Sequence, residues 1–206
     1  MPRPSQAQDQ ALLAAGAALY AELGCAKLSV RRVAEHAGVN PAMVHYHFGS
    51  KSGFLRALLQ QHYEQMFASL SLEAQADAAP LVRLQAALFA LARFVREHRA
   101  LIGRLWQDTQ SGEAVALEFL RANAPRHVKL LGELAAAAEA RGQLSRQPPL
   151  TRLSFLMGAV LAPILIGGGV RALGLAPKAL AAQIEPQILS DAALRARIDL
   201  ALKALS

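Results

Sequence analysis

Apolar residues recur at three- and four-residue steps along most of the chain, and no segment alternates with the two-residue period of a half-buried strand. The pattern predicts an all-α protein. Leu12, Ala15, Leu19 and Leu23 mark a first helix over residues 8–23, with Gly24 as its stop. Ser29 has the chemistry of an N-cap, and Leu28 with Val33 can close as a hydrophobic staple, so a second helix is expected from Val30 to about Ala37. Gly38 permits a left-handed turn, Asn40 caps again, and Pro41 suits a first helical position, which starts a short third helix ending near Phe48. Gly49 stops it, Ser50 caps, and a fourth helix runs from Lys51 toward Leu70.

Further along, Pro80 opens a helical stretch to about His98, and a shorter one covers Leu101–Gln110. Residues from Glu113 to Arg141 are helical, with a break or kink expected at Pro125. Residues 143–149 read as a loop. The most apolar segment, Leu150–Leu173, should weaken or end at Gly167, Gly168 and Gly169. A last amphipathic helix over Ser190–Leu205 carries Leu194, Ile198, Ala201 and Leu205 on one stripe.

The two short helices joined by Gly38-Val39-Asn40 fit a helix-turn-helix, because the tight turn needs a small residue before it and glycine within it, and Ala34 and Gly38 supply both. Val44 can plug the angle between the helices, with Phe48 on the same face. Capped pairs of this kind also occur in purely structural proteins, and the charges decide between the readings. Arg31, Arg32 and Lys51 stand in the first turns of helices 2 and 4, where the macrodipole penalises cations by about 0.3–1 kcal/mol each. An anion nearby offsets that cost, and a phosphate backbone crossing both helix ends would supply it. The opposite stripe of helix 3, with Ala42, His45, Tyr46 and Gly49, can then face a major groove. His47 fits a packed histidine as well as a phosphate contact.

Net charge is +7, from 22 Lys and Arg against 15 Asp and Glu, which suits a polyanionic partner without locating its site. The single cysteine, Cys25, forms no internal disulfide, and residues 1–10 are polar, so a cytoplasmic setting is expected. Leu153–Val170 is uncharged over eighteen residues, the low edge for a membrane span, but Pro163 and the three glycines lower its helical quality, and a buried helix is the expectation. Catalysis finds no support. Lys51-Ser52 lacks the preceding glycine and strand of a phosphate-binding loop, His45 and His47 point in different directions, and Cys25 has no partner at metal-ligand spacing. No cofactor and no metal are expected.

The ungapped stretch Leu28-Ser-Val-Arg-Arg-Val-Ala-Glu-His-Ala-Gly-Val-Asn-Pro-Ala-Met-Val-His-Tyr-His-Phe-Gly-Ser-Lys51 resembles the TetR family signature, and the likeness extends over roughly residues 8–60. It implies an all-helical homodimer with a helix-turn-helix head at residues 8–52. A ligand-binding and dimerisation body would follow at 53–206. By position it makes Ser29, Arg31, Ala42, Met43, His45, Tyr46, His47 and Lys51 candidate DNA contacts, with His45 standing where the family frequently has tyrosine. It also makes Leu153–Ile166 and Ser190–Leu205 the candidate dimer interface. The expected function is a transcriptional repressor that binds a pseudo-palindromic operator in double-stranded DNA and is released by a small, largely apolar effector. An activator and a ligand-independent architectural DNA binder are the alternatives. Phe89, Phe94, Leu105, Trp106, Phe119 and Met157 are candidates to line an effector cavity, and His98, Arg104 and His127 to orient its contents, although residue by residue plain core packing is the stronger reading of the apolar ones.

Overall fold

The computed structural model describes residues 4–206, with side chains from residue 8 onward, and every regular element among them is helical. The order is α1 (Pro4–Lys27), α2 (Val30–Ala37), α3 (Ala42–Phe48), α4 (Lys51–Ala74), α5 (Pro80–Glu97), α6 (Arg99–Gln110), α7 (Ala114–Ala140), α8 (Pro149–Ala172), α9 (Lys178–Ile184), a π-helical turn (Glu185–Leu189) and α10 (Asp191–Lys203).

Packing gathers these elements into two compact units. The first holds the chain up to Glu64 together with Ala100–Asn123, and the second holds Gln65–Arg99 and Ala124–Ser206. The first unit thus reaches past residue 52 into α4. Phe54, Leu55, Leu58 and Leu59 of α4 lie in the same buried cluster as Leu12, Leu19 and Tyr20 of α1 and Leu101 and Leu105 of α6. Gly16 makes that possible, since a Cβ there would fall 2.3 Å from the Phe54 ring.

In the second unit α5, α8 and α10 pack on one another, burying Leu84 and Leu88, Leu156, Val160 and Ile164, and Leu194 and Ile198. Three sequence expectations need correction here. α7 runs unbroken through Pro125. A prolyl ring costs a helix about 3 kcal/mol, and the buried Leu131, Leu134 and Ala138 on the same helix offset it by holding the following turns in place. Likewise α8 continues through its three glycines. Two of them serve close approach rather than termination: a Cβ on Gly168 would sit 2.7 Å from the Arg99 side chain, and one on Gly167 3.3 Å from Ile188. Finally, α9 and the π-helical turn went unassigned in the sequence. Arg96 donates to the Leu189 carbonyl at 2.8 Å, and Arg197 to that of Ile188 at 3.3 Å, so two guanidiniums satisfy carbonyls that the irregular turn leaves over.

Candidate nucleic-acid interface

The corner between α2 and α3 is built by local chemistry. The Ser29 hydroxyl accepts the Arg32 amide at 3.2 Å and starts α2. Gly38 ends it in the left-handed region (φ 67°, ψ 29°), where its N–H reaches the Ala34 and Glu35 carbonyls. Asn40 Oδ1 accepts the Ala42 amide at 2.9 Å and opens α3. Val44 is fully buried, as a plug between the two helices requires. At the far end the Ser50 hydroxyl accepts the Gly53 amide at 3.0 Å. Here α3 and α4 come so close that a Cβ on Gly53 would lie 2.1 Å from the Phe48 carbonyl oxygen.

With Val44 turned inward, α3 exposes Ala42, His45 and Tyr46, the last at 78%. Met43 is half-buried. His45 Nδ1 lies 3.3 Å from the Gly49 carbonyl. Arg31 and Arg32 are exposed in the first turn of α2, and Arg31 reaches Glu35 at 2.8 Å on the surface. Lys51 donates from Nζ to the Ala26 carbonyl at 3.0 Å, which places its ammonium beside the last turn of α1. His47 differs from the others. Its side chain is only 8% exposed, and Nδ1 sits 2.7 Å from Asp9 Oδ1.

One polar feature of the first unit escaped the sequence reading. Gly24 breaks α1 (φ 72°, ψ −176°) and leaves backbone groups on both sides without helical partners. From α6, Arg104 donates to the Glu22 carbonyl and the Asp108 carboxylate accepts the Cys25 amide, each at 2.8 Å. A Cβ on Gly24 would collide with Asp108 at 2.6 Å, so glycine is required by conformation and by space. Burial first, and then Asp108, push the Cys25 thiol up to about 12, while burial, followed by Cys25 and Asp108, raises the Tyr20 phenol above its ordinary value. A signal was available: Asp108 falls on the same helical stripe as Leu101 and Leu105, and all three are buried.

The effector candidates do not converge on one place. Phe89 and Phe94 line a cavity of about 420 Å³ in the second unit with Ser69, Glu73, Arg93 and Glu97. His98 lies beside it, its ring 4.2 Å from that of Phe94. Arg195 covers Phe89 at 3.7 Å in a cation–π contact. His127, whose pKa burial lowers, and Met157 are half-buried and do not line that cavity. In the first unit Leu105 is buried, Trp106 is 61% exposed, and Arg104 is committed to the Glu22 carbonyl. Phe119 lines a separate groove with Arg56, Gln60 and Asn123 and meets the Tyr63 ring edge-on at 6.0 Å.

Residues 12–58 match the family model described as bacterial regulatory proteins, tetR family. The chain is 32% identical over 97 residues to the HTH-type transcriptional repressor KstR2 of Mycobacterium tuberculosis, a stretch covering 47% of this chain and 48% of that protein. To the HTH-type transcriptional regulator BetI 2 of Chromohalobacter salexigens it is 40% identical over 52 residues, a quarter of each. The chain thus aligns with about half the length, or less, of these relatives. The fold extends further. A TetR-family transcriptional regulator from Rhodococcus superposes with a TM-score of 0.67 at 23% identity over 96% of this chain and 97% of its own. A Clostridium perfringens protein named as a fatty acid metabolism regulator reaches 0.74 at 16% identity over 95% and 98%. Residues 12–58 thus resemble the tetR family of bacterial regulatory proteins in sequence, and the chain over nearly its whole length shares the fold of these two solved structures.

Proposed function

We propose that the protein is a homodimeric, sequence-specific DNA-binding repressor whose operator affinity is set by a small molecule. The observation that carries the DNA-binding part is the exposed stripe of α3. A capped corner presents Ala42, His45 and Tyr46 to solvent beside the exposed Arg31 and Arg32, and a tyrosine left 78% exposed on a short helix is a poor surface choice unless something covers it. Major-groove readout needs this combination of small, aromatic and hydrogen-bonding side chains, with cations at the flanks for phosphates. The likeness to a named repressor favours repression over activation.

Dimerisation rests on a different surface. α8 is long and apolar enough to cross a membrane by composition, yet an apolar face that its own protomer leaves open is also what a second copy covers. Phe155, Leu165 and Ile166 of α8 and Leu200 of α10 are exposed apolar groups. The stripe of Leu194, Ile198, Ala201 and Leu205, by contrast, is buried within the protomer, so it belongs to the core and not to an interface. For the effector, the cavity beside Phe89 and Phe94 is the best candidate. Its Arg93, Glu73 and Glu97 favour a molecule with an apolar body and a polar group over a wholly apolar one.

Selection of duplexes from a random-sequence pool by the full-length protein tests this reading. The expected product is a pseudo-palindrome with half-sites about one helical turn apart or somewhat more. Recovery of no preferred sequence would overturn it. A thermal-shift screen of small molecules addresses the effector: a specific ligand raises the apparent melting temperature by mass action and, as an inducer, binds the duplex-bound protein more weakly than the free one.

A further inference from the structure

We propose that His47 is a positioning residue rather than a phosphate ligand, and that Asp9 on α1 is the partner through which it fixes the orientation of the reading helix. The proposal rests on the DNA-reading role given above for α3. That helix has seven residues and no side-chain cap from its N-cap residue Pro41, too short to hold a conformation by itself. Its alignment comes from outside contacts. Val44 plugs the corner, and the Phe48 ring meets the buried Phe54 edge-on at 5.1 Å. Neither grips the side of the helix that carries His47.

There the imidazole is nine-tenths buried, its Nδ1 lies 2.7 Å from Asp9 Oδ1 in a charge-pair contact that lacks hydrogen-bond alignment, and its Nε2 is enclosed without a partner. A ring held in this way offers no free donor to a phosphate unless it leaves its site. What it does touch is informative. The exposed Tyr46 ring stands edge-on against it at 4.9 Å, and the Phe48 ring lies 6.1 Å away. A side chain anchored between the residue that faces solvent and the residue that faces the core fixes the rotation of α3 about its axis. Charge gives a second argument. Asp9 places a carboxylate next to a helix that is to approach a polyanion, where electrostatics alone disfavours it. Removing that charge would strengthen DNA binding if Asp9 had no positioning role. The two accounts therefore predict opposite signs.

The test uses the full-length protein with Asp9→Ala, Asp9→Asn, His47→Ala and the combined Asp9→Ala, His47→Ala variant, titrated across salt concentrations. The probes are the best duplex from the random pool and a random duplex. Asp9→Ala is expected to weaken the selected duplex about tenfold while leaving the random duplex and the salt dependence unchanged. Asp9→Asn keeps an oxygen beside Nδ1 and should restore most of the affinity. His47→Ala should match Asp9→Ala, and the combined variant should be no worse than either, because the pair acts as a unit. Equal or tighter binding by Asp9→Ala would overturn the proposal, as would a fall of about 1 in the His47→Ala salt slope, the mark of a lost phosphate contact. Hydrogen exchange in the DNA-free protein decides the matter separately from DNA reading. Amides of Val44–Phe48 should exchange faster in Asp9→Ala while those of Phe54–Leu59 do not, and unchanged α3 exchange would overturn the positioning role. Failure of the wild-type protein to select any duplex would instead sink the DNA-binding reading and leave the exchange result to stand for this pair.

Discussion

The two compact units leave different kinds of surface unspent. In the first, Leu12, Leu19, Phe54, Leu58, Leu101 and Leu105 of α1, α4 and α6 are buried with Val44 among them, and what α3 offers to solvent is an imidazole, a phenol and a methyl group. In the second, a core of α5, α8 and α10 is complete, yet Ile166, Leu173, Leu175, Leu180 and Leu200 remain more than half exposed. An exposed polar and aromatic face with cations beside it suits a hydrated polyanion, whereas an exposed aliphatic face suits another protein surface. Under the proposed function the two faces serve different partners, and each can be disabled without touching the other.

The largest expected effect comes from the aliphatic face. Ile166→Glu with Leu200→Glu should convert a dimer to a monomer in sedimentation and weaken the selected duplex about a hundredfold or more, since two half-sites no longer act together. A dimer of unchanged stability would place the interface elsewhere. Ile164 is no substitute, because it is fully buried in its own protomer and a charge there tests folding.

A smaller effect separates glycines required by space from those that are not. Gly53→Ala should cost about 1–3 kcal/mol by denaturant unfolding, because its Cβ meets the Phe48 carbonyl in backbone that moves little. Gly132→Ala, in the middle of α7 with open space around it, should instead stabilise by about 0.5–1 kcal/mol.

Alkaline pH should distinguish the units as well. Cys25 and Tyr20 in the first unit are acids whose values are raised on folding. Their neutral forms are favoured in the native state, so the stabilisation is complete below the ordinary thiol value of 9.0 and is lost as pH rises toward about 12. Unfolding monitored from about pH 8 to about pH 10.5 should show a loss near 2 kcal/mol from the thiol alone, and Cys25→Ala should flatten that slope. A smaller effect is local: Ser29→Ala removes the acceptor that starts α2 and should cost about 1 kcal/mol.

How far the sequence foretold these features depends on how local their causes are. Ser29, Gly38, Asn40 and Gly49 act on residues two to four positions away, so the boundaries of α2 and α3 could be read from composition and spacing. The long helices were harder. Pro125 and the glycines at 167–169 carry breaking signals, and only tertiary neighbours, Ile188 and Arg99 among them, explain why the helices continue. The site shows the same split. Helical period alone places Tyr46 and His45 on the exposed stripe, whereas the Asp9 and Asp108 contacts cross 38 and 83 residues, and only Asp108, on the apolar stripe of α6, carries a local hint. Amphipathic pattern also misled at α10, where it marked a stripe that the protomer itself buries.

The central claim is that the exposed stripe of α3 reads base sequence. Its most direct test is the affinity of Tyr46→Ala for the selected and the random duplex across salt concentrations, alongside the wild type. The account predicts that the wild type prefers the selected duplex by roughly a thousandfold or more. Tyr46→Ala should narrow that gap about tenfold, mostly by weaker binding to the selected duplex. A Tyr46→Ala protein that discriminates between the two duplexes as well as the wild type does would contradict it.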